Sequence, residues 1–80
     1  MKIKDAVIDA IQKTTEIDRA ELLEAMDLDL LENGILDSLS IVTLLTELTN
    51  ILNKRLLIND FKSSDFKTIT SITKAIESLL

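Results

Sequence analysis

Eighty residues are enough for one small domain, and a domain of this size buries only about 60 to 65% of the surface that its unfolded chain exposes. There is no cysteine, histidine or proline and only one glycine, which excludes disulfides, zinc-thiolate sites, cysteine nucleophiles and the punctuation of a many-turned β-fold. A net charge of −5 argues against nucleic acid and anionic membrane surfaces as partners and makes a basic partner the natural expectation.

The charge is uneven. Residues 1–37 carry ten acids against four bases, whereas residues 38–80 carry four acids against five bases. Lysines and aspartates at positions 2, 4, 5 and 9 interrupt any apolar run at the start. Neither a signal peptide nor a membrane-inserted helix is therefore expected, and the expected location is cytoplasmic.

In chain order, Ile3, Ala6, Val7, Ala10 and Ile11 recur at helical spacing and predict an amphipathic helix over residues 3–13, ended by Thr14 and Thr15. Asp18 is placed to cap a short helical turn containing Ala20, Leu22, Leu23 and Met26. Residues 27–37 alternate polar and apolar side chains around Gly34. They predict an ordered loop in which Leu28, Leu30 or Leu31, Ile35 and Leu36 dip into the core and Gly34 takes a positive φ.

A second long helix is predicted over residues 38–53, with Leu39, Val42, Leu45, Leu48 and Leu52 on one stripe and Ile41 and Leu44 widening it. Lys54 and Arg55 suit its negative C-terminal end. An apolar return, Leu56-Leu57-Ile58, precedes a short turn at Asn59-Asp60-Phe61. A last helix starts near Thr68, repeats Ile69, Ile72, Ala75, Ile76 and Leu79, and takes its cap from the threonine-rich run at 67–71. With only Phe61 and Phe66 as aromatics, both are expected in the core. The expected fold is all-α: a small four-helix bundle of three longer helices and one or two short ones, with a long loop between the first two long helices.

The candidate site is the tripeptide Asp37-Ser38-Leu39, where the loop ends and the second long helix begins. A helix N-terminus offers unpaired N–H groups and the positive end of a dipole, so it stabilises a phosphodiester on a nearby hydroxyl. With no histidine or cysteine in the chain, Ser38 lacks a general base of its own and reads as a residue modified by another enzyme rather than as a catalytic nucleophile. The acidic cluster Glu21, Glu24, Asp27, Asp29 and Glu32 lacks the spacing of a helix-loop-helix calcium site and reads as a solvated face. Asp29 and Glu32 could alternatively meet a basic partner.

The run Asn33-Gly34-Ile35-Leu36-Asp37-Ser38-Leu39, followed by Val42, Leu44, Leu45 and Leu48, resembles the acyl and peptidyl carrier protein family. The likeness extends over most of the chain and is strongest toward D-alanyl carriers and specialised stand-alone carriers, with Ile58, Asp60-Phe61, Phe66 and Thr68 falling in the matching places. It implies that residues 1–80 form a single carrier domain and that Ser38 receives 4′-phosphopantetheine from coenzyme A. It further implies that Asp37 and Leu39 are read by the phosphopantetheinyl transferase, and that Val42, Thr43 and Thr46 face partner enzymes.

The implied partners are that transferase, an acyl- or aminoacyl-adenylating ligase and acyl-transferring enzymes, served by a monomer. The implied function is carriage of an acyl or aminoacyl group as a thioester in a specialised pathway, with no catalysis by the chain itself. Fatty-acid synthesis carriers have a strongly acidic second helix, whereas here Glu47 is its one charged residue, which points away from the housekeeping carrier. The alternatives are a D-alanyl carrier for teichoic acid modification and, in a different class, an unmodified helical adaptor that binds through its acidic surface.

Overall fold

A computed structural model describes residues 2–80. Its helices are α1 (Ile3–Thr15), α2 (Arg19–Glu24), α3 (Ser38–Leu52) and α4 (Ile69–Leu79), with 3-10 turns at Ile58–Asp60 and Ser63–Phe66. The protein is thus an all-helical, small four-helix bundle, as its periodicity predicts.

Helix α1 is the centre of the packing, in contact with α2, α3 and α4. Ala6, Val7, Ile8, Ala10 and Ile11 are all fully buried. The two alanines put little bulk between backbones, which lets neighbours approach α1 from more than one side. Leu44 and Leu48 from α3 and Ile69, Ile72 and Ile76 from α4 join it in a core that, among the described residues, buries no polar side chain. Aliphatic burial of this kind, at about 25 cal/mol per Å² of apolar surface removed from water, holds the bundle together.

Helix α1 runs two residues beyond the predicted end. Thr14 and Thr15 continue the last turn, their hydroxyls donating to the carbonyls of Ala10 and Ile11 at 2.8 Å each. The stop is made by Glu16, whose φ of 62° is left-handed and whose N–H donates to the carbonyl of Gln12. Helix α2 begins where expected, but the Asp18 side chain makes no cap hydrogen bond. Arg19 instead ties α2 to α1, its guanidinium donating to Asp9 at 2.7 Å and Asp5 at 2.9 Å. Met26 lies beyond the end of α2 and is half-buried.

The long loop is pinned to the start of α4. The N–H of Leu30 donates to the carbonyl of Lys67 at 2.6 Å, and both the N–H and hydroxyl of Thr70 donate to the carbonyl of Met26 at 3.2 Å. Leu30 and Leu36 are buried as predicted, and Leu31 and Ile35 are partly so. Leu28 is not: it is 41% exposed, because the backbone anchors on either side direct Leu30 inward. Gly34 has the positive φ, 71°, that its place in the loop requires.

Candidate functional site

Asp37 makes the transition from loop to α3. Its backbone is extended, its carboxylate accepts the N–H of Ser40 at 2.8 Å, and its carbonyl accepts the N–H of Ile41 at 2.9 Å. The N–H of Ser40 holds this exposed carboxyl below the ordinary value of 3.8, with smaller help from the Ser40 side chain. Asp37 is thereby fixed as an anion one residue before Ser38.

Ser38 is the first residue of α3 and is exposed. It opens onto a cleft of about 470 Å³ whose apolar walls include Leu31, Leu36, Ile41, Ile58, Phe61 and Phe66, with Asp37, Lys62 and Ser63 also lining it. The two phenylalanine rings stand 5.3 Å apart at 49°. Phe66 is a core residue, 3% exposed, and Phe61 is half-buried, so the pair joins the core to the cleft wall.

The remaining predicted site residues divide along α3. Val42 and Thr46 line a second groove of about 330 Å³, closed on its other side by Arg55 and the return Leu56-Leu57-Ile58. Leu39 and Thr43 are exposed and line neither cavity. Ile58 lines both, so the groove and the Ser38 cleft are neighbours that share this side chain.

Leu39 and Val42 belong to the apolar stripe of α3 yet are 77% and 51% exposed. Among the described residues no helix packs over these two side chains, so an apolar stripe continues from core to surface. Thr43, Thr46 and Thr49 donate their hydroxyl protons to the carbonyls of Leu39, Val42 and Leu45. To a partner they present an acceptor oxygen and a methyl rather than a free donor.

Lys62 and Ser63 beside Ser38, and Arg55 in the groove, carry no functional signal in the sequence. Their one legible mark is position, on the return that follows α3. Asp29, a candidate for partner docking, is engaged within the loop, where one carboxylate oxygen accepts the N–H groups of Leu31 and Glu32 at 3.1 and 2.9 Å. Among the described residues no three His, Cys, Asp or Glu side chains gather as a metal site, and no helix is long and apolar enough to cross a membrane.

No family model matches the chain. Curated relatives do: D-alanyl carrier proteins from Streptococcus pyogenes serotype M5 (strain Manfredo), serotype M49 (strain NZ131) and serotype M1. Each is 35% identical over 79 residues, covering 99% of this chain and 96% of the relative. The chain belongs to the acyl carrier protein-like family. Full-length coverage at this identity spans α1 through α4, so the likeness takes in the whole fold as well as the neighbourhood of Ser38.

Proposed function

We propose that this carrier holds an aminoacyl group, D-alanine by analogy with its relatives, on 4′-phosphopantetheine attached to the Ser38 hydroxyl. The observation that carries the reading is the placement of Ser38: an exposed hydroxyl on the first residue of α3, beside an anionic Asp37 and an open cleft. The residues fit a phosphodiester-linked arm. The helix start favours the phosphate, Lys62 brings a cation to the same cleft, and the apolar walls can receive the uncharged length of the arm.

The arm would supply the thiol that this cysteine-free chain lacks and hold the cargo as a thioester. The chain's own residues do the rest. Asp37 fixes the first turn of α3 and offers a carboxylate to the transferase, while Leu39 stands exposed one residue beyond Ser38 for an apolar contact. Val42, Thr43 and Thr46 provide a surface for enzymes that load and unload the cargo, with Val42 and Thr46 facing the groove. Such contacts must be brief, and small, partly polar interfaces suit them.

The cleft beside Ser38 favours a second reading, in which the cargo is an acyl group with a longer apolar body. Its phenylalanine and aliphatic walls offer such a body an apolar surface that an alanyl group would scarcely use.

The test is the intact mass before and after incubation with coenzyme A and a broad-specificity phosphopantetheinyl transferase, with Ser38→Ala alongside. One phosphopantetheine adduct, absent in the variant, is expected. A folded protein that gains no adduct while a known carrier is modified in parallel would instead be the unmodified adaptor. The modified protein is then offered D-alanine and medium-chain fatty acids with their adenylating ligases, and charging by one class selects the cargo.

A further inference from the structure

We propose that the groove between α3 and the return Leu56-Leu57-Ile58 receives an apolar side chain of the aminoacyl-adenylating ligase, flanked there by a carboxylate that pairs with Arg55. The inference rests on the carrier reading above and names the charge of the partner's docking ridge. That charge is the opposite of the one the net charge of −5 suggests.

Three observations carry it. First, the groove is built and held: the N–H of Leu56 reaches the Thr49 hydroxyl oxygen at 3.3 Å, and that hydroxyl donates to the carbonyl of Leu45 at 2.8 Å, fixing the return against α3. Leu57 and Ile58 remain about half exposed, as does Val42 across the groove.

Second, Arg55 is the only charged residue lining it, and among the described residues the salt bridges are those of Arg19 alone. An exposed guanidinium beside an apolar trough is suited to a carboxylate, which it can grip with two parallel hydrogen bonds. Lys54 adds a second positive charge next to it in sequence.

Third, the acids of the chain are elsewhere. Ten of the fourteen precede Ser38, and none of the other four, Glu47, Asp60, Asp65 and Glu77, lines the groove, although Asp60 ends the turn that begins at Ile58. Arg55 is therefore the charge that a side chain entering the groove meets first. Because Ile58 is shared with the Ser38 cleft, a ligase seated in the groove sits next to the attachment site. A second copy of the chain is a poorer occupant, since two bodies of charge −5 repel.

The experiment uses the phosphopantetheinylated protein and the adenylating ligase of D-alanyl carriers, with the rate of D-alanine loading measured against carrier concentration. Arg55→Glu is expected to raise KM about tenfold or more with kcat unchanged, and Arg55→Lys to raise it less. Lys74→Glu alters the net charge equally at an exposed position on α4 outside both cavities, and leaves KM within about twofold.

Loading of Arg55→Glu as efficient as the parent's overturns the proposal, as does an equal loss in Lys74→Glu, which would make the effect one of overall charge. An Arg55-dependent dimer in sedimentation equilibrium, or Arg55-dependent retention on phosphatidylglycerol vesicles, overturns it in favour of a second copy or a lipid. Failure of the phosphopantetheinylated parent to accept any aminoacyl group overturns the aminoacyl reading of the cargo, and that result is distinct from all of these. Circular dichroism verifies each fold, and Arg55→Gln replaces the glutamate variant if that one unfolds.

Discussion

Replacing Gly34 by alanine isolates the backbone cost of presenting Ser38. Gly34 has a φ of 71°, and a Cβ built there meets nothing within 4 Å. The penalty is therefore conformational rather than steric. A left-handed conformation costs an L-residue about 1 to 2 kcal/mol, and alanine returns about 0.4 to 1 kcal/mol by restricting the unfolded chain. The net destabilisation is then about 1 kcal/mol, or a fall of roughly 4 to 8 °C in Tm for a domain of this size.

Asparagine, which tolerates the same region better, should lose less. Urea denaturation of the three proteins measures the difference, at unchanged m value because the surface exposed on unfolding is unchanged. The loop's other restraints lie close by: the carbonyl of Leu30 accepts the N–H groups of Ile35 and Leu36 at 2.9 and 3.1 Å. Gly34→Ala should accordingly remain a substrate for the transferase. A loss above about 3 kcal/mol would refute the reasoning, since conformational preference alone cannot supply it, and so would a gain in stability.

Leu48→Ala, at a fully buried position on α3, should cost about 2 to 5 kcal/mol out of a total of roughly 4 to 12 kcal/mol for eighty residues. A loss below about 1 kcal/mol in urea would contradict its place in the core. Asp37 should titrate by NMR with a midpoint below 3.8. Its contribution to stability is complete above that value and is lost as pH falls through the lowered native pKa, so Asp37→Ala should erase that component of acid destabilisation. Thr68→Ala removes the acceptor of the Ser71 N–H, 2.9 Å away, and should cost about 1 kcal/mol by thermal melting. Arg19→Ala breaks two ion pairs whose side chains are more than a third exposed. Solvent screening limits its cost to below about 1 kcal/mol, diminishing further in salt.

Helix positions were legible because burial imposes a 3.6-residue period on sequence. Ile69, Ile72 and Ile76 follow it and are buried, and the start of α3 at Ser38 is marked by the residue types that satisfy free N–H groups. The end of α1 was less legible. A threonine weakens a helix yet can also return its hydroxyl to a carbonyl four residues back, and the left-handed turn at Glu16 carries no mark of its own in residue type.

The sequence by itself determined which side chains share a helix face and the all-helical class, and it singled out Ser38 as the serine proposed for modification. It could not determine which faces find a neighbour. Leu39 and Leu48 obey one period on one helix, yet Leu48 is buried and Leu39 is 77% exposed. The tertiary structure made that division, and it also brought Lys62 into the same cleft as Ser38 and Arg55 into the same groove as Val42. The physical reason is range: periodicity records a helix's geometry over a few residues, whereas coverage and the assembly of a cleft depend on how segments a dozen or more residues apart are folded back against one another.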